Sequence, residues 1–187
     1  FKGFWGSYLD GGKVVDYHKF RNIFFDKLNL SLKKIFIIRM RDTNKISIKY
    51  SNQFLKDNNF SNVVEKIECS LSERVTKNDL KFIVVDHIST PFLEIVHSNI
   101  PFILLLSSKF NFFNKKYNYL IKEMVKEKIL FYNPKKAADY LNNIDFEYLN
   151  WDKNFKIQKL RQEIMKQFYN QNKNWKEMWR SKIEKIS

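Results

Sequence analysis

The residues best suited to chemistry lie in one short run, Asp86-His87-Ile88-Ser89-Thr90-Pro91-Phe92-Leu93-Glu94. The apolar run Phe82-Ile83-Val84-Val85 leads into it and stops at Asp86. A hydroxyl pair and Pro91 then open a helix-forming stretch, with Glu94 one turn further on. The first N–H groups of a helix have no partner within it, and the helix dipole adds positive potential there. Such a position suits an anion, phosphate above all. Ser89 and Thr90 can donate to phosphate oxygens, and Glu94 can accept from ribose hydroxyls. The same residues also make an ordinary helix start, in which Ser89 or Thr90 caps and Glu94 steadies the first turn. Asp86 can serve the site or simply cap the loop. His87, directly after the strand, can contact phosphate, act on a nucleotide, or be structural. His18 reads as a helix-surface residue and His97 as a helix-end residue, and the three histidines lack metal-ligand spacing.

The elements that must hold this run alternate between strand and helix. A helix is expected over 17–28, with Phe20, Ile23, Phe24 and Leu28 on one face. Strands follow at 34–39 (buried) and 46–50 (half-exposed), then a short helix or loop at 60–66 and a helix at 71–80. The central strand is 81–86, and the helix opened by Pro91 runs to His97 or Ser98. A buried strand at 100–106, a helix at 115–126 and a short strand at 129–132 come next. Asn133 caps a helix through Leu141, and 154–169 and 173–186 read as one long or two successive C-terminal helices. Asp10-Gly11-Gly12-Lys13 reads as a turn; it lacks the P-loop pattern. After the first helix, this β-β-α-β-α-β-α-β-α-α order predicts an α/β fold: a Rossmann-like, mainly parallel sheet flanked by helices. Open parallel sheets bind ligands at the carboxyl ends of their strands. Two polar strand ends stand out, Arg39-Met40-Arg41 and the run from Asp86.

Composition sets the outer limits. The chain has 187 residues, with 18 Phe, 9 Tyr and 4 Trp, too apolar and aromatic for a disordered polymer. A single cysteine, Cys69, excludes an internal disulfide or a cysteine zinc cluster, and it reads as a small core or surface residue. No apolar run reaches the length of a membrane span. The net charge of +14 is scattered and mostly lysine. It admits nucleic acid, an anionic membrane surface or phosphorylated small molecules as partners. There is no helix-turn-helix, zinc-finger or RNP-like motif, so no specific nucleic acid is expected. No Asp-x-Asp motif is present to hold a metal, and no cofactor is expected.

The stretch from Asp79 to Phe102 resembles the donor-site segment of bacterial surface-carbohydrate transferases of the two-lobed GT-B type. It matches at Asp86, Ser89, Thr90, Phe92-Leu93-Glu94 and Ile100-Pro101. Its layout is similar to that of the CDP-glycerol glycerophosphotransferases. Lys128 to Ala138 resembles that group's later strand and Pro-x-x-Ala-Ala helix, and Phe36-Ile37-Ile38-Arg39 resembles its strand ending in Arg. Trp151, Gln158, Arg161 and Phe168 resemble its closing signature. The likeness runs in order over about residues 17–170. It departs at Asn150-Trp151, where paired Trp is usual, and at Ser107-Ser108-Lys109-Phe110.

The resemblance implies a glycosyltransferase of surface carbohydrate biosynthesis, with this chain binding a nucleotide-activated sugar. Residues 1–150 would form the donor-binding lobe. Residues 151–187 would be helices packing on, or crossing to, an N-terminal lobe upstream of Phe1 that also supplies the catalytic base. The donor site would comprise Arg39, Arg41, Asp86, His87, Ser89, Thr90 and Glu94. In it Ser89 and Thr90 bind phosphate, Glu94 binds ribose or orients the sugar, and the two arginines neutralise the leaving group. The acceptor would be a glycan or lipid-linked glycan. A cytoplasmic location is implied, with peripheral contact at the inner membrane face as a further option. Ile164, Phe168, Trp175, Trp179 and Ile183 share a helical face that could lie on a membrane or pack on the other lobe. The competing classes are a basic nucleic-acid-binding module and a non-catalytic interaction domain.

Overall fold

The computed structural model describes residues 11–38, 53, 56, 71–76, 80–109, 111, 113–146 and 149–168. Among them are three parallel strands: β1 (Ile83–Val85), β2 (Phe102–Leu105) and β3 (Leu130–Phe131), in that spatial order. Ile83 pairs with Phe102 and Val85 with Leu104, while Leu104 pairs in turn with Leu130. The helices are α1 (Gly11–Lys27), α2 (Leu30–Ile35), α3 (Leu71–Thr76), α4 (Thr90–Ser98), α5 (Asn118–Lys126), α6 (Pro134–Asn143) and α7 (Phe155–Phe168). Helix α4 makes the crossover from β1 to β2, and α5 that from β2 to β3. This is the expected Rossmann-like α/β arrangement: an open parallel sheet with helices on both faces.

Pleating sorts β2 between two cores. Phe102, Leu104 and Leu106 point to one, with Phe92, Ile95 and Val96 of α4, Leu120 and Met124 of α5, and Ile157, Leu160 and Ile164 of α7. Ile103 and Leu105 point to the other, with Phe24, Phe25 and Leu28 of α1, Leu32 of α2, and Ala137, Ala138 and Leu141 of α6. The small residues Ala137 and Ala138 let α6 approach the sheet closely. Helices α1 and α6 meet at their ends, where the Asn142 amide donates to the Lys27 carbonyl at 2.9 Å and accepts from Asn29 N at 2.9 Å.

Local chemistry sets the helix ends. Asn133 accepts from the N–H of Lys135 and Lys136 at 3.0 and 3.2 Å, and Pro134 follows it, as the sequence predicts. Helix α4 ends at Asn99, which adopts a left-handed conformation (φ 61°) that asparagine tolerates well. The Asn99 side chain accepts from Trp151 Nε1 at 3.2 Å and from Gln158 Nε2 at 3.0 Å. Arg161 donates to the carbonyls of Val96 and His97, the latter at 2.8 Å. Three residues of the closing signature thus cap the C-terminus of α4.

Several expectations change. The described part of the strand expected at 34–39 is not a buried strand: α2 takes Lys34 and Ile35, and Ile35 and Ile37 are 71% and 48% exposed, although Ile38 is buried. The Asn29 side chain accepts from Leu32 N at 2.8 Å, and this cap starts a helix where β-propensity favoured a strand. Gly11 to Lys13 open α1 instead of forming a turn. The buried face of α1 uses Phe25 and leaves Ile23 exposed. The first two residues of the expected apolar C-terminal face meet the core of the described domain. Ile164 is buried here, and the Phe168 ring packs on Tyr117 with centroids 4.8 Å apart. The expected elements at 46–50, 60–66 and 173–186 lie outside the described residues, as do Cys69, Trp175, Trp179 and Ile183.

Leu104 is fully buried at the middle of the sheet, whereas Leu30 is 75% exposed. Leu104→Ala should cost about 2–5 kcal/mol in chemical denaturation. Leu30→Ala should stay within about 0.5 kcal/mol of the parent. Equal effects would contradict the placement of the core.

Candidate functional site

Because all three strands are parallel, their carboxyl ends share one edge. Asp86 lies just past the end of β1 on that edge, followed by His87 and the start of α4. Helix α1 reaches the same place. Arg21 Nε lies 3.2 Å from Asp86 Oδ2, and His87 Nδ1 lies 2.8 Å from Asp86 Oδ1. The Tyr17 hydroxyl donates to the Asp86 carbonyl at 3.5 Å. Arg21 also sits over the Tyr17 ring, 5.5 Å from its centroid. Lys109, just beyond β2, pairs with Asp16 of α1 at 3.5 Å.

The electrostatics follow from this geometry. Burial alone would raise the Asp86 pKa, but Arg21, His87 and Tyr17 outweigh it and hold the carboxyl well below the usual range. Burial pushes the Tyr17 phenol well above its ordinary value, and the charge of Asp86 adds to the rise. His18 is lowered from 6.5 to about 4, first by burial and then by Arg21. It is therefore a half-buried neighbour of this ion pair and not the surface residue the sequence suggested.

At the start of α4, Ser89 occupies the cap position with an extended backbone (φ −154°), yet its side chain makes no capping bond. Its hydroxyl is shielded from solvent and, among the described residues, has no hydrogen-bond partner. The same holds for Glu94 Oε2. Thr90 is exposed at the first helical position. In the ordinary helix-start reading Ser89 or Thr90 caps and Glu94 steadies the first turn; here Ser89 Oγ does not cap and Glu94 Oε2 makes no bond to its own helix. Unmet buried polar atoms cost free energy and call for an explanation, a ligand among them.

Asp86, His87, Ser89 and Thr90 thus fall in one strand-to-helix turn, with Glu94 one turn into α4. Arg39 and Arg41 lie outside the described residues. Sequence reasoning missed Tyr17 and Arg21. Their signal was faint: an aromatic and a cation at i, i+4 on a helix, matched to an acid at a strand end. An open groove of about 680 Å³ lies elsewhere, around the start of β3 and the end of α6, lined by Lys128, Tyr140, Asn143 and Asp145 among others. None of the turn residues lines it. The turn is marked by its polar groups and not by hollow volume. No helix among the described residues is long and apolar enough to cross a membrane.

Comparison with known proteins gives the family. A family model described as LIC12162 family transferase matches residues 6–183, and the chain belongs to that transferase family. No curated protein and no solved structure gave a match.

The cluster makes stability depend on pH. Between about 6.5 and about 4 the unfolded chain protonates His18 more readily than the fold does. The contribution of neutral His18 is therefore full above the upper value and is lost as pH falls towards the lower. Asp86, with its depressed pKa, adds a loss at still lower pH. Urea denaturation as a function of pH should show this decline, and His18→Gln should flatten its upper part. An unchanged slope would contradict the burial of His18 against Arg21.

Proposed function

We propose that this transferase takes a nucleotide-activated sugar as donor and receives its phosphates at the turn from β1 into α4. The observation that supports this reading most is the pair of solvent-shielded, unpartnered groups there, Ser89 Oγ and Glu94 Oε2. One is a hydroxyl beside a helix N-terminus, where an anion is favoured. The other is a carboxylate one turn on, suited to the hydroxyls of a ribose or sugar. Thr90 adds a second hydroxyl at the exposed side, and His87 a ring able to meet a phosphate oxygen. Arg39 and Arg41 would neutralise the charge that develops on the leaving phosphate as the sugar–oxygen bond breaks. In this reading the chain is the donor-binding lobe of a GT-B glycosyltransferase of surface carbohydrate synthesis. The acceptor is a glycan or lipid-linked glycan met at the inner membrane face, and the base that takes its proton comes from the other lobe.

Removing an unpartnered buried polar group relieves a desolvation cost. Ser89→Ala and Glu94→Ala should therefore leave the Tm of the full-length protein unchanged or higher. Each should weaken binding of CMP-, CDP- or UDP-sugars by about tenfold or more, roughly 1.4 kcal/mol, in calorimetric titration. Glu94→Ala should also abolish transfer. A lowered Tm with unaltered binding would return both residues to a structural role. Failure of every nucleotide sugar to bind the parent protein would sink the proposal.

A further inference from the structure

Both carboxylate oxygens of Asp86 are committed inside the protein, Oδ1 to His87 at 2.8 Å and Oδ2 to Arg21 at 3.2 Å. Exposure rises along this chain of contacts. The side chains of Arg21, Asp86 and His87 are 13%, 26% and 46% exposed. Tyr17 secures the inner end, bonding the Asp86 carbonyl at 3.5 Å while its ring lies against Arg21. The outer end is an imidazole two residues before the cap of α4. A carboxylate so placed is poorly suited to bind a substrate, and well suited to hold something that does.

We infer that Asp86 and Arg21 are positioning residues of the donor site: Arg21 fixes the carboxylate, and the carboxylate fixes the His87 ring so that Nε2 meets a phosphate of the nucleotide. This rests on the donor-site reading above and adds helix α1 to that site.

An ionised carboxylate can only accept, so Nδ1 must carry the proton in this pair, which sets the tautomer and the plane of the ring. The adjacent negative charge also favours the imidazolium, the form that binds phosphate most strongly. Other charged and titratable groups lie around this edge of the sheet. Among the described residues they include Tyr17, His18 and Arg21 on α1, Glu94 on α4, and the ion pair of Lys109 with Asp16 where β2 faces α1. Arg21 opposes the imidazolium, but it sits on the far oxygen of Asp86, while His87 is bonded to the near one.

Two measurements on the full-length protein test this separately. The first is the NMR titration of the His87 ring with no ligand present. Asp86→Asn keeps an acceptor but removes the charge, and should lower the His87 midpoint by about one pH unit or more. A midpoint that does not move overturns the positioning role. The second is calorimetric titration with CDP at about pH 6 and about pH 8.5. The parent should bind roughly tenfold more tightly at the lower pH, as expected for one charge-assisted contact. His87→Gln, an exposed change that should leave the fold intact, should lose that difference beyond what the nucleotide's own ionisation supplies. Arg21→Lys should retain more affinity than Arg21→Ala. If His87→Gln keeps the parent's pH dependence, the inference fails while the donor site stands. If the parent binds neither CDP nor any nucleotide sugar, the donor-site reading fails first.

Discussion

The structure depends on the complete burial of β2. Each residue from Phe102 to Leu106 is at most 2% exposed. A parallel strand buried on both sides needs a helical layer on each face, and its neighbours must be reached by crossovers. Pleating then decides which helix goes where. Phe102, Leu104 and Leu106 recruit α4, α5 and α7, while Ile103 and Leu105 recruit α1, α2 and α6. The position of the candidate site follows from the same constraint. Parallel strands end on a common edge, and each crossover helix must start there. Asp86 and the first turn of α4 therefore come together because β2 is central, whatever their chemistry.

Helix α4 is treated differently at its two ends. Its C-terminal carbonyls are met by Arg161, and Asn99 behind them is fastened to Trp151, Gln158 and Asp152. At its N-terminus the cap residue does not cap, and one turn into the helix a Glu94 carboxylate oxygen has no partner among the described residues. Sequences that fold well satisfy local rules nearly everywhere, and departures collect where function opposes stability. The firm C-terminus makes the contrast informative. A helix loosely held throughout would leave polar groups unmet at either end. Here side chains bond carbonyls at one end, the cap at the other makes no such bond, and that end faces the edge where parallel sheets take ligands.

Much of this was legible in the sequence where local and long-range signals agree. The run Phe82 to Val85, the start of α4 at Pro91 and the Asn133–Pro134 cap of α6 each combine an apolar pattern with a terminal signal. The segment around Lys34 and Ile35 shows the opposite case. Its isoleucines and phenylalanine favour a strand, but Asn29 caps a helix immediately upstream, and Ile35 remains in water. Ser89 was legible as a cap position but not as a cap that fails, since that depends on where its hydroxyl points. Arg21 was illegible for a different reason. Its partner is at the end of a strand far along the chain, and no pattern within α1 distinguishes it from the many other cations on the surface. Trp151, Gln158 and Arg161 were recognised as a set through resemblance. Their role as the lock on α4 needed the fold.

The ion pair between Arg21 and Asp86 also connects stability to the site. A charge pair with most of its surface covered gives up hydration and recovers it only through good geometry, so such pairs are weak grounds for stability alone. An apolar pair at this position could close the gap between α1 and β1 without that cost. What the apolar pair could not do is orient an imidazole. The carboxylate has two oxygens, and the fold uses one to tie down α1 and the other to hold His87. The covered end of the contact chain is rigid because Tyr17 and Arg21 brace each other on one helix. The exposed end inherits that rigidity at the mouth of α4. On this argument the first helix is part of the site's framework, and a change in its packing against β1 would be felt at the ring of His87 before it was felt in the core.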